Sequence, residues 1–198
     1  MRLQFPTSAL AAMTLATVPV TAHAEMARYE LDASHTAIFF TVEHIGYAKT
    51  LGIFPGVEGS FDYDAETNEL GEVSVTIAAT SVDTFHEGRN EHVREADFLD
   101  VSNHPEITFT ANGGSASSDT EGTVEGELTI LGETRPVTLD VTLNKAAEYP
   151  FGHKRFTLGL SMQTSIQRSE FGMTYGVENG LVGDTVDIMI ETEAMRMD

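Results

Sequence analysis

Histidines and carboxylates are the first side chains to weigh, because neutral imidazole beside a carboxylate suits zinc or copper. Six of the seven histidines, His35, His44, His86, His92, His104 and His153, lie beyond residue 24. Their spacing does not build a metal site. In His86-Glu87-Gly88-Arg89-Asn90-Glu91-His92 neither H-E-x-x-H nor H-x-x-E-H is satisfied, and residues six apart do not converge on one helix face. The chain has no cysteine, which removes disulfides, thiolate metal sites and a Cys nucleophile in one step. No G-x-S-x-G elbow, phosphate-cradling glycine loop or dinucleotide fingerprint occurs. No catalytic residue, metal or cofactor is expected.

Recognition chemistry remains. Arg89, His92 and Arg168 are the candidates to donate to a carbonyl or phosphate oxygen, in a chain where cations are scarce. For Arg168 the alternative is an ion pair with Glu170 or Asp184. His44 falls on the apolar face of an alternating segment, where it is either a satisfied core histidine or a ligand-facing one.

The elements that must position these groups are strands. Ile38, Phe40, Val42 and His44 alternate with Ala37, Phe39, Thr41 and Glu43, and the same period of two recurs in Val57–Tyr63, Val73–Ala79 and Ile107–Ala111. It is cleanest in Val124, Gly126, Leu128 and Ile130, whose alternate positions Thr123, Glu125, Glu127 and Thr129 are all polar. Val137–Leu143 mirrors it across Leu131-Gly132-Glu133-Thr134-Arg135-Pro136, which predicts a hairpin. Phe156–Ile166 and Val186–Thr192 complete the set, with a short strand at Tyr29 and Leu31, about eight in all. Gly88–Leu99 breaks the rule with apolar and long side chains three and four apart, which predicts a short helix. Gly113–Gly122 reads as an exposed hairpin tip. The fold class is therefore all-β, an antiparallel barrel or a sandwich with one short helix.

The apolar positions of these strands would fill a solid core or line a lumen. For a lumen the expected wall is Ile38, Phe40, Val42, Phe61, Ile77, Phe109, Leu128, Met162, Phe171 and Met173, with Phe and Met suited to irregular apolar chains.

Met1-Arg2, the apolar run Leu10–Val20 and Ala22-His23-Ala24 together predict a signal peptide over residues 1–24, cleaved before Glu25. The remaining chain, residues 25–198, suits one domain. The leader takes Arg2, one of 11 basic residues, so the mature chain sets ten against 31 acids and is one charge more negative than the full chain's −20. Such a chain is repelled by nucleic acid and anionic lipid, and no later segment is apolar enough for stable membrane insertion. The scattered acids form either an ordinary solvated surface or an adaptation to high salt.

Four segments in order, Asp32–His44, Ser81–Phe109 (with Arg89-Asn90-Glu91-His92-Val93 and His104-Pro105-Glu106), Gly126–Val137 and Arg168–Gly172 with Val182-Gly183-Asp184 behind it, resemble the YceI-like family of bacterial periplasmic proteins. The resemblance implies an eight-stranded, lipocalin-like β-barrel and a periplasmic carrier for an isoprenoid lipid: a polyisoprenoid, an isoprenoid quinone or a prenyl phosphate. It implies no established enzymatic activity. Thr36, Asn90 and Glu170 stand where Ser, Asp and Asp are common in that family, and Gly52–Gly56 is atypical. An enzyme acting on a similar lipid, with His92 or His44 as acid-base group, and a ligand-free stress-related partner protein are the alternatives. Monomer and homodimer are both open.

Overall fold

The computed structural model describes residues 26–197, so the expected leader and its expected cleavage site lie outside the described residues. Strand follows strand through β1 (Ala27–Leu31), β2 (Ala37–His44), β3 (Ala48–Phe54), β4 (Val57–Asp64) and β5 (Glu69–Ala78). A helical segment, α1 (Glu87–Arg94), intervenes before β6 (Glu106–Asn112), the two-residue β7 (Ser115–Ala116), β8 (Glu121–Ile130), β9 (Glu133–Glu148), β10 (Phe156–Gln167) and β11 (Val182–Met197).

All pairings are antiparallel, and they run β1-β4-β5-β6-β8-β9-β10-β11 with β11 returning to β1, an eight-membered ring. Closure, which periodicity alone leaves undecided against a sandwich, is thus settled by β11. Its C-terminal part pairs with β1 (Leu31↔Ala194) and its middle with β2 (Ile38↔Ile190), so β1 and β2 are one barrel strand with an interruption. Asp32 makes that interruption. Its Oδ1 accepts from Ser34 N at 2.9 Å and caps a 3-10 turn over Ala33–His35 before the chain resumes as β2. β3 and β4 form a second interrupted strand, broken at Pro55-Gly56, where proline has no N–H for the ladder. Bulges in β11 between Val182 and Val186 and in β9 at Asn144, opposite Gly159/Leu160 of β10, bend the wall, as closure of a small barrel requires.

Strand β3 is absent from the expected set, and its inward side explains why. Gly52 faces Phe40 across the pair, and a Cβ built there would lie 2.2 Å from Phe40 Cζ. The inward position has to be empty for the ring to fit, so the alternation that identifies a strand vanishes. Gly126 serves Phe109 in the same way on β8, with the Thr110 carbonyl 2.6 Å from the missing Cβ.

The expected helix over 88–99 is shorter. It ends at Arg94, where Glu95 turns extended and its N–H bonds His92 O, and the chain continues in tight turns that bury Leu99. His86 caps its start, Nδ1 accepting from Arg89 N at 3.2 Å. Neighbouring strands of the ring run oppositely, so α1, residues 168–181 and the β2–β3 turn share one end of the barrel; the β4–β5 and β9–β10 turns and the two described chain termini share the other.

Candidate functional site

Inward side chains surround a cavity of about 340 Å³ that runs between the two ends. Toward the α1 end the wall is one apolar cluster including Ile38, Val57, Ile77, Ile107, Phe109, Leu128, Ile166 and Phe171. Toward the termini it is a second, in which Tyr29 stacks on Phe61 at 5.4 Å and packs with Leu158 and Ala194. Phe40 and Phe54 meet at 5.4 Å where the β2–β3 pair contributes its wall.

Ile38, Phe40, Val42, Phe61, Ile77, Phe109, Leu128, Met162, Phe171 and Met173 all line this cavity, as does Arg168. His44, Arg89 and His92 do not. His44 is exposed at the end of β2, backbone-paired with Val182 just before the β11 bulge. It is therefore neither a core histidine nor a cavity residue, because the strand leaves the barrel wall before reaching it. Arg89 is exposed and spends its guanidinium on Thr84, Nε donating to Oγ1 at 2.9 Å and Nη2 to the carbonyl. His92 lies outside the cavity, its ring edge-on to Phe98 and Tyr175 and its Nε2 3.2 Å from Asp97 Oδ2.

Arg168 is only 2% exposed, and four of its five N–H donors go to backbone carbonyls. Nε donates to Gly183 O at 2.7 Å, Nη1 to Met173 O at 2.8 Å, and Nη2 to Tyr175 O at 2.7 Å and Val182 O at 2.9 Å. Neither Glu170 nor Asp184 pairs with it directly. Asp184 instead accepts from Ser169 N and Oγ, and its charge opposes the fall in the Arg168 pKa that burial causes. The guanidinium is a clamp that holds residues 173–183 against β10. Four carbonyls take up four of its five N–H donors, so most of its hydrogen-bonding capacity is spent on its own backbone.

Polar groups in the wall collect elsewhere. Tyr63, whose hydroxyl donates to Asn68 Oδ1 at 2.7 Å, and Ser118, Asp119 and Thr120 line the cavity toward the termini. Residues 114–121 are exposed, as the expected hairpin tip requires, and most of residues 114–123 also border the cavity. A Ser- and Gly-rich composition gave no sign of that placement, which depends on Leu143 N bonding Thr120 O. Midway along the wall, Thr36 Oγ1 and Thr192 Oγ1 share a buried hydrogen bond of 2.6 Å.

Asn90 is the buried residue of α1. Its Oδ1 accepts from Thr84 N and Oγ1, and its Nδ2 donates to Asp83 Oδ1 at 2.9 Å. An ionised Asp could not make that last bond. Asp32, His35 and Glu193 bring three possible metal-ligating atoms within 4.8 Å of one another on the outside of the barrel. His35 Nδ1 is already bonded to Asp32 Oδ2 at 2.9 Å and stands 3.8 Å from Glu193 Oε2, so the arrangement is a histidine between two carboxylates. Hydrogen bonds from Ser34 and His35 hold the Asp32 pKa down at about 2, and Asp32 with Glu193 raises that of His35.

Closed antiparallel wall, apolar interior and outward acids such as Glu58, Glu72, Glu125, Glu127 and Asp140 define a lipocalin-like β-barrel. The outer face is the inverse of a membrane-spanning barrel's apolar band, and no described helix is long and apolar enough to cross a membrane. The chain belongs to the YceI-like family, whose domain model matches residues 29–194. It is 32% identical over 191 residues to a UPF0312 protein of Ectopseudomonas mendocina, covering 96% of this chain and 98% of that one. To Protein YceI of Escherichia coli O157:H7 it is 34% identical over 172 residues, 86% of this chain and 87% of the other. Among solved structures, BcnA of Burkholderia cenocepacia superposes with a TM-score of 0.74 at 23% identity, covering 83% of this chain and 99% of BcnA. A polyisoprenoid binding domain from Saccharophagus degradans does so with a TM-score of 0.63 at 17% identity, covering 87% and 100%.

Proposed function

We propose that this protein is a non-enzymatic carrier that holds an isoprenoid lipid inside the barrel, in the periplasm to which its leader directs it. The observation that carries this reading is the continuous apolar cavity, walled by side chains from nearly every strand. An apolar chain gains roughly 0.8 kcal/mol per buried CH₂, so each five-carbon unit contributes about 4 kcal/mol before the cost of lost freedom. Several units therefore suffice for retention without any charged contact. The similarity to a polyisoprenoid binding domain supports the same ligand class. Among the described residues, the ionisable groups in the wall are Tyr63, Asp119, Glu121 and Arg168, and neither His44 nor His92 reaches the cavity. This favours a carrier over an enzyme acting on the lipid. The Ser118 and Thr120 hydroxyls offer a quinone carbonyl or a phosphate oxygen the contacts that Arg89 and His92, outside the cavity, do not.

Solvent extraction of protein purified from its own host, followed by mass spectrometry, tests the reading. An isoprenoid chain in the extract is the expected result. A folded protein that yields an empty extract overturns it.

A further inference from the structure

Exposed apolar side chains are unevenly placed on this acidic molecule. Ile45, Tyr47, Leu51, Phe85, Tyr175 and Leu181 are all exposed at the α1 end, Tyr47 to 91%. Two of them sit on left-handed backbone, Ile45 at φ 52° and Phe85 at φ 63°, positions that favour Gly, Asn or Asp and that a β-branched residue adopts only under strain. Neither recovers that strain by burial, so the turns hold apolar groups out in solvent.

Some of these residues adjoin the cavity wall. Ile45 N donates to Leu181 O at 3.1 Å, the next residue, Val182, lines the cavity, and the Tyr175 ring lies 5.2 Å from the ring of Phe98, another lining residue. The wall also has a free edge at this corner. Beyond the single bridge of Ile53 to Asp83, residues 48–52 of β3 have a ladder partner on one side only among the described residues. An unpaired edge opens more readily than a strand paired on both sides. Opening there would admit a long chain sideways, so neither its head nor its tail has to thread the barrel axis.

Residues 44–57 contain no acid in a chain with 31, so this hairpin meets a phospholipid layer without carboxylate repulsion of its own. The turn at the opposite end, within the acid-free residues 149–169, shares that property, and it is the clustered apolar side chains that single out this face. Aliphatic side chains beside a tyrosine match the depth profile of a bilayer interface.

We propose that the β2–β3 hairpin and its apolar surroundings dock on a zwitterionic phospholipid bilayer, and that the ligand passes between bilayer and cavity at the free edge of β3. This rests on the carrier reading. The test is the rate at which delipidated full-length protein takes up a nitrobenzoxadiazole-labelled farnesyl lipid from phosphatidylcholine vesicles. Collisional transfer predicts an initial rate proportional to vesicle concentration at a fixed probe-to-lipid ratio. The double variant Ile45→Asp/Tyr47→Asp, altered only at exposed positions, should slow uptake about tenfold or more with unchanged final loading. Phe151→Asp, at the exposed tip of the opposite end, should leave the rate unchanged. Equal rates for wild type and the double variant, a rate independent of vesicle concentration, or slowing by Phe151→Asp alone would each overturn the docking face. So would sedimentation showing a wild-type dimer that the double variant dissolves, since a second copy would then cover the patch. Wild-type protein that never loads the probe overturns the carrier reading and this inference together.

Discussion

The Phe40 ring lies against the Cα of Gly52, leaving no room for a methyl group: a Cβ there would sit 2.2 Å from Phe40 Cζ and 2.5 Å from Cε1. Gly52→Val must displace the ring into the cavity or part β2 from β3. Overpacking of this kind costs about 1–3 kcal/mol. Urea denaturation should show a lower midpoint with an unchanged slope, and a variant as stable as wild type would mean the ring has a second place to go.

Arg168 predicts a larger loss. Arg168→Met keeps the apolar stem and strands four carbonyl acceptors at Met173, Tyr175, Val182 and Gly183 in a buried setting. A loss of about 3–5 kcal/mol is expected, and Arg168→Lys should recover little of it because one ammonium cannot reproduce the planar fork. Equilibrium unfolding of the three proteins decides this. Full rescue by lysine would show that charge, not geometry, holds the segment.

Ligand retention separates the two faces of the wall. Met162 lines the cavity, whereas Met189, on the neighbouring strand beside Gln163, is 53% exposed on the outside. Met162→Asp should abolish co-purification of the lipid by placing a carboxylate against its chain, and Met189→Asp should leave it intact. Native mass spectrometry of both variants reads the outcome. Equal retention would place the ligand elsewhere.

His35 ties stability to pH. Its pKa is raised above 6.5 by Asp32 and Glu193, so its contribution is fully present below 6.5 and lost as pH rises through the higher folded value. Asp32 works in the opposite sense: held at about 2 against an ordinary 3.8, it stabilises above 3.8 and is lost as pH falls toward 2. Both contributions are therefore complete between about pH 4 and 6.5. His35→Asn should lower the melting temperature more at about pH 5.5 than at about pH 8.5 by calorimetry. An equal drop at both values would assign His35 a purely steric role.

The formal charge of −20 predicts a response to salt. Raising NaCl from about 0.1 M to about 1 M shortens the screening length to roughly 3 Å and relieves self-repulsion. A gain of about 1 kcal/mol would raise the melting temperature by about 3 °C in a domain of this size. A flat or falling melting temperature would return the acids to an ordinary solvated surface.

Much of the architecture was legible in the chain itself. A period of two is a local property of extended backbone, so Thr123–Ile130 shows which residues face inward before any partner strand is known. The same property identified the cavity-lining positions from Ile38 to Met173. Where it failed, contacts distant in sequence had taken over. Gly52 erased the alternation of β3 because a ring twelve residues away needed its space. His44 kept the alternation but lost the barrel, since β2 runs past the bulged start of β11.

Arg168 shows the same division. Its scarcity in an acidic chain marked it as important, but the carbonyls that consume its donors are brought together by a turn ending fifteen residues later. Barrel closure likewise depends on β11 pairing with both halves of one interrupted strand at the far end of the chain. Residue types and spacing determined the strands, their inward faces and the acidic exterior, because each follows from local backbone geometry and solvation. Only the tertiary structure decided which inward faces enclose a common cavity and which cations remain free to bind, because both depend on partners that meet only when the barrel closes.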